Sequence, residues 1–168
     1  MSTKSRQLLQ VLFGTSLIGI GISLNYLANL GLGPWGVFHD GLSKTLNITY
    51  GRTIIITGIA VMLLWIPLKQ KPGIGTIIDI FLVGTVADLI IPNFPLSENV
   101  FLSLLLIFCG IILIGAGTAI YVGASLGVGP RDGIMVGLEA KGLKIGTARN
   151  IIELLAFLIG WLLGGLVG

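Results

Sequence analysis

The sequence predicts an all-α membrane protein: a single multi-pass domain with five transmembrane helices and two short re-entrant or interfacial amphipathic helices, arranged as two internal, inverted repeats. Three observations carry this expectation. Of 168 residues, 54% are hydrophobic and only 10% charged, with a mean hydropathy of +1.02, whereas a soluble domain carries about 25% charged residues. The chain is self-similar at an offset of 96 residues. Its basic residues also divide unevenly between the two sides of the implied membrane.

Composition excludes several classes. One cysteine precludes a disulfide framework or a cysteine metal cluster, and one histidine precludes a multi-histidine site. The 26 glycines follow no Gly-X-Y period, so the chain is not collagen-like. The net charge of +3 comes from ten Lys and Arg scattered between apolar runs. They form no basic stripe, and no nucleic-acid partner is expected.

A transmembrane helix needs about 20 mainly apolar residues. The run 8–28, behind Lys4 and Arg6, has a long apolar stretch with no A-x-A site after it, and is expected to be a retained span rather than a signal peptide. Further spans are expected at 53–68, 74–91, 100–124 and 151–167, the last with a helix starting near Thr147. Two stretches, 34–46 and 130–143, hold His39, Asp40 and Lys44, and Arg131, Asp132, Glu139 and Lys141. As helices of about 20 Å they fall short of a hydrocarbon core about 30 Å thick. Both open on Gly-x-Gly-Pro, a tight turn with proline at the first helical position, where its missing N–H is no loss. In the first, Trp35, Phe38 and Leu42 share a face that His39, Asp40 and Lys44 avoid.

At the offset of 96, Gly14 meets Gly110, Gly19 meets Gly115, Gly21 meets Gly117, Ala28 meets Ala124, and Gly31, Gly33 and Pro34 meet Gly127, Gly129 and Pro130. One further residue of shift matches Leu46, Ile48 and Arg52 with Leu143, Ile145 and Arg149. The repeat units are 8–68 and 104–167, joined by 74–91. If the short helices do not cross, the repeats run in opposite directions, a common transporter design. If both cross, the alternative is seven spans in a parallel three-one-three arrangement.

Charge counting separates these. With five spans, the N-terminal side holds Lys4, Arg6, Lys69, Lys71, Arg131, Lys141, Lys144 and Arg149, against Lys44 and Arg52 on the other; with seven, the split falls from eight against two to seven against three. Five spans are favoured. Either way the N-terminus is expected in the cytoplasm of a bacterial cell and the C-terminus outside its inner membrane.

Gly31-Leu-Gly-Pro-Trp35 with Asp40-Gly-Leu-Ser43, Gly73-Ile-Gly-Thr76, and Gly127-Val-Gly-Pro-Arg-Asp-Gly133 together resemble the bacterial YczE/YyaS/YitT family of multi-pass membrane proteins. The resemblance runs from about Leu8 to the end. YitT members carry a C-terminal soluble domain and this chain stops at Gly168, so it is more similar to the shorter YczE type. The resemblance implies architecture and a membrane location; it carries over no catalytic residue and no substrate.

Candidate substrate-binding residues follow from the chemistry of helix starts. Gly31, Gly33 and Pro34, and Gly127, Gly129 and Pro130, leave free N–H groups at the positive end of a helix dipole, and such ends bind anions. Arg131 adds a planar donor fork, and Asp40 and Asp132 lie in the same short helices. Asp79 and Asp88 lie on the linking span, where ionisable groups are costly and often functional. Nine residues apart, they face opposite sides and make no acid pair; Asp79 is the functional candidate. Arg149 and Glu153 are expected to pair, His39 to sit at the interface, and Cys109 to be an apolar packing residue. Small residues at four-residue spacing, including Gly160, Gly164 and Gly168, let helices approach closely; Gly160 and Gly164 are the expected homodimer contact.

These features point to a small permease or facilitator for a small solute with an anionic group, its other partner being the lipid bilayer. The alternative is a substrate-capture or accessory subunit of a larger membrane complex, like the small vitamin-binding components of energy-coupling transporters. No enzyme activity, cofactor or metal is expected, because the chain lacks a nucleophile–base pair, a metal cluster and a phosphate-gripping motif. Without a Gly-x-x-x-x-Gly-Lys-Ser/Thr sequence, transport would be secondary, passive or powered by a partner.

Overall fold

The structure, a computed structural model, describes residues 3–168. The described residues form α1 (Thr3–Leu27), α2 (Pro34–Leu46), α3 (Tyr50–Leu63), α4 (Ile74–Ile90), α5 (Val100–Gly123), α6 (Pro130–Glu139) and α7 (Ile145–Leu162), with a 3-10 turn at Ile91–Asn93 and no strand. Four helices are long and apolar enough to cross a membrane: α1, α4 with its 3-10 turn, α5 and α7. The pair α2 and α3, bent by 109° at their junction, adds a fifth candidate as a broken span or re-entrant loop.

The helix ends are written locally. Gly33 caps α2 in an extended conformation ahead of Pro34, and Asn47, left-handed at φ 52°, closes it. Thr49 caps α3 by accepting the Arg52 N–H, and Asn99 caps α5 by accepting the Leu102 N–H. The two Gly-x-Gly-Pro loops share one backbone path. Asn29 and Ser125 are left-handed at φ 53° and 55°, and Gly31 and Gly127 follow at φ 121° and 141°, where a side chain would be strained.

Hydrogen bonds between elements sort the chain into two ends. At one end, the Gln7 amide donates to the Ala124 carbonyl, the Gly75 N–H to Leu126, and the Trp65 indole to Pro130 at 2.9 Å. At the other, the Ser97 N–H donates to Leu27, the Leu166 N–H to Asp40, and the Gly51 N–H to Asp88 at 2.7 Å. Thus α1 and α4 run from the first end to the second, α3 and α5 run back, and α7 finishes at the second.

The antiparallel pair α1 and α5 forms the centre, in contact through four glycines. A Cβ on Gly14 would lie 2.7 Å from the Gly117 carbonyl oxygen, and one on Gly117 would lie 2.5 Å from that of Gly14. The same reciprocity joins Gly21 and Gly110, at 2.6 and 2.8 Å. Backbones this close need residues without side chains. Around this pair, α2 packs on α7 and α3 on α6, while α4 lies against α1 and α3. No described helix lies on α5 and α7 as α4 lies on α1 and α3.

Several boundaries differ from the sequence expectation. The helix α6 stops at Glu139 rather than 143, because the chain turns to Gly142 at φ 93°. The helix α7 begins at Ile145 and stops at Leu162 rather than 167. Gly164 at φ 80° and the bonds from Gly164 to Trp161 and Gly165 to Gly160 make a glycine C-cap of the Schellman type. The span expected at 53–68 is a 14-residue helix, α3, followed by turns. Gly160, expected at a homodimer contact, instead meets the backbone of Phe38 inside the chain, because α2 lies across the end of α7. On α5, Gly115 and Gly123 meet nothing within 4 Å.

Candidate functional site

A cavity of about 380 Å³ lies where the two halves meet, and all seven α-helices contribute to its wall. Ligand pockets run from roughly 300 to 1,000 Å³, so this one suits a small solute. Ile18 and Ile22 of α1, Thr57 and Val61 of α3, and Ile80 and Val83 of α4 supply mainly apolar wall. Trp35 and His39 come from α2, Asp79 from α4, Thr118 and Tyr121 from α5, Pro130, Arg131 and Asp132 from α6, and Arg149 and Glu153 from α7.

The starts of α2 and α6 meet here. The Arg131 guanidinium sits 5.0 Å from the centre of the Trp35 ring, a cation–π distance. These are the residues that the offset of 96 matches, so corresponding positions of the two halves touch.

The ionisable groups are arranged unequally. Arg149 and Glu153 are paired at 2.8 Å, as their spacing predicts. The Asp132 carboxylate stands in the first turn of α6, whose dipole favours it. A Cβ placed on Gly129 would lie 3.1 Å from Asp132 Oδ2 and 3.6 Å from Asp79 Oδ2, so both carboxylates border the α6 start. Asp79 forms no hydrogen bond or ion pair among the described residues, and Arg131 forms no ion pair. Three buried polar atoms on wall residues also lack a hydrogen-bond partner: Trp35 Nε1, Thr57 Oγ1 and the Tyr121 hydroxyl. A buried polar atom left unpaired costs about 1–3 kcal/mol, and an arriving solute can relieve that.

Of the candidate residues, Asp79, Gly129, Pro130, Arg131 and Asp132 line the cavity; Gly31, Gly33, Pro34, Asp40 and Gly127 do not. Asp40 is occupied elsewhere. It pairs with Lys44 at 2.7 Å and accepts from the Leu166 N–H at 2.8 Å and the Tyr26 hydroxyl at 3.3 Å, tying α2 to the end of the chain. Gly31 packs on Gly168, and Gly127 on Thr76. Asp88, facing away from Asp79, holds the start of α3 through the Gly51 N–H and the Thr49 hydroxyl.

His39 departs from the expected interface position. It is 4% exposed, with ring centres of Trp35, Phe38 and Tyr50 about 6 Å away, because the polar face of α2 turns inward. Nothing in the sequence pattern singles out Thr57, Thr118 or Tyr121, which also line the cavity. Threonines in membrane helices often bond back to the preceding turn, as Thr15 does to Val11, and nothing local marks Thr57 as different. A second, almost wholly apolar crevice of about 480 Å³ shares Trp35, Thr57 and Val61 with the cavity and opens between α3 and α7.

Residues 5–168 match a family described as Family of unknown function (DUF6198). An uncharacterized protein of Haemophilus influenzae is 39% identical over 165 residues, covering 94% of this chain and 73% of that protein. An uncharacterized membrane protein of Bacillus subtilis, YczE, is 32% identical over 158 residues, covering 92% of this chain and 74% of its own. A second Bacillus subtilis protein, YyaS, is 32% identical over 125 residues, covering 71% of this chain and 61% of its own. No solved structure matches.

Proposed function

The chain belongs to the DUF6198 family and is a membrane protein, and from that premise we propose that it is a small permease or facilitator whose solute binds in the central cavity. The observation that carries this is the meeting of the α2 and α6 starts at a partly open cavity of about 380 Å³. In transporters with inverted repeats, substrate sits near the bilayer midplane, between discontinuous helices whose N-terminal ends point at it.

The architecture that goes with this reading has five crossings in alternating directions, with α2 and α6 as half-helices from opposite faces. The antiparallel packing of α1 on α5 supports it, because seven crossings would run those two helices the same way. So does the pairing of α2 with α7 and α3 with α6, which an exchange of halves leaves unchanged. The charge split supports a bacterial inner-membrane location with the N-terminus in the cytoplasm. Arg131 beside the open start of α6 suits an anionic group on the solute. The substrate-capture alternative is favoured by the open face of α5 at Gly115 and Gly123, where a partner helix could lie.

The test is a thermal-shift screen of small organic acids and amino acids on the purified protein, followed by uptake of the hits into vesicles containing it. Thr118→Phe, which fills the cavity, should abolish both stabilisation and uptake while the variant remains folded. A solute that stabilises parent and Thr118→Phe equally binds elsewhere, and the cavity reading fails. Uptake that needs a copurifying protein would favour the subunit reading.

A further inference from the structure

Among the charged groups that face the cavity, Asp79, Arg131 and Asp132 have no ion-pair partner among the described residues, and Asp79 and Arg131 are of opposite sign and stand on different helices. Glu153 is paired with Arg149, and Asp132 is offset by the α6 dipole. Asp79, in the second turn of α4, reaches the α6 start from a different helix and has no hydrogen bond or ion pair among the described residues. Arg131 is stacked on Trp35 and has no carboxylate at ion-pair distance. The unpaired atoms divide in the same way. The Trp35 indole N–H is a donor, whereas the Thr57 and Tyr121 hydroxyl oxygens can accept. Thr57 and Tyr121 are 7% and 2% exposed, so water does not readily serve them.

We propose that the solute is a zwitterion of the amino-acid type, its anionic group held by Arg131 and the Trp35 N–H, its ammonium held by Asp79 with the Thr57 and Tyr121 hydroxyls. This rests on the cavity being a solute site, as argued above, and adds which chemistry it selects. A zwitterion brings no net charge into a region where unbalanced charge is expensive. It also gives each unpartnered wall group a partner of the opposite kind. A purely anionic solute would leave Asp79 facing a second negative charge in the same small space. A purely cationic one would leave Arg131 without a counter-ion.

The experiment compares matched trios: each common amino acid as the free zwitterion, as its amide, which keeps only the ammonium, and as its N-acetyl derivative, which keeps only the carboxylate. Binding to the purified full chain is read by thermal shift and isothermal titration. The free form should bind at least about tenfold more tightly than either derivative, the factor expected for one charge-assisted hydrogen bond. Asp79→Asn should erase the advantage of the free form over the acetylated one and leave its advantage over the amide. Arg131→Gln should do the reverse. Asp88→Asn, on the same helix as Asp79 but outside the cavity wall, should change neither preference. Asp79→Asn keeps the size of the side chain and Arg131→Gln shortens it, and an unchanged gel-filtration profile shows that both fold. Acetylated or amide forms that bind as tightly as the free amino acid overturn the zwitterion assignment while leaving the cavity as a solute site. Equal preferences in Asp79→Asn and parent overturn the role given to Asp79. If no member of any trio binds the parent, the solute reading and this assignment both fall.

Discussion

Two alanine substitutions on one helix test the packing that places the cavity. Gly117 and Gly115 both lie on α5, two residues apart, and both are glycine in a 24-residue helix. A Cβ on Gly117 would stand 2.5 Å from the Gly14 carbonyl oxygen and 3.0 Å from the Ile18 nitrogen; a Cβ on Gly115 meets nothing within 4 Å. Non-bonded carbon atoms pack best at about 3.5–4.0 Å, so Gly117→Ala must push α1 and α5 apart by the better part of an ångström. Overpacking of this kind costs about 1–3 kcal/mol. Gly115→Ala should be neutral or stabilising by up to about 1 kcal/mol, the helix-propensity difference. A change of 1 kcal/mol moves Tm by about 2–4 °C for a chain of this size, so the two variants should separate clearly in a thermal melt in detergent. Gly14→Ala should resemble Gly117→Ala, because its Cβ would lie 2.7 Å from the Gly117 carbonyl. The double variant should cost less than the sum, since the helices separate only once. If Gly115→Ala and Gly117→Ala melt alike, α1 and α5 are not packed through these glycines.

Two further outcomes follow from single contacts and a third from the topology. Asp88→Ala removes the acceptor for the Gly51 N–H and the Thr49 hydroxyl and should cost about 0.5–2 kcal/mol, as loss of a helix cap does, with solute binding retained. Asp40→Ala strands the Leu166 N–H and should destabilise by about 1–3 kcal/mol, seen as a lower Tm and faster proteolysis of residues 163–168. A cysteine at Gln70, in a chain whose Cys109 is replaced by alanine, should resist a membrane-impermeant thiol reagent in intact cells; ready labelling from outside contradicts five crossings.

Much of the architecture is legible because membrane helices are written in local terms. Apolar runs of span length mark α1, α4 and α5, and Gly-x-Gly-Pro marks the starts of α2 and α6 at the residues observed. What escapes the sequence is long-range. Asp40 looks like a site residue until the end of α7 brings Leu166 to it, 126 positions away. His39 looks interfacial because α2 is amphipathic, but α7 and α3 pack on that helix and leave its polar face inside. The end of α7 lies earlier than hydropathy suggests, because residues 163–167 stay apolar while Gly164 and Gly165 stop the helix at Leu162. The Trp35–Arg131 contact joins two positions that the offset of 96 residues matches, but nothing local in either stretch says that they touch.

The most direct test of the central claim is a density map of the purified protein with a solute that stabilises it. The account predicts density for that solute between Asp79 and Arg131, against the Trp35 ring and within reach of Thr57. Solute density confined to the outer apolar surface, with the cavity empty, would contradict it.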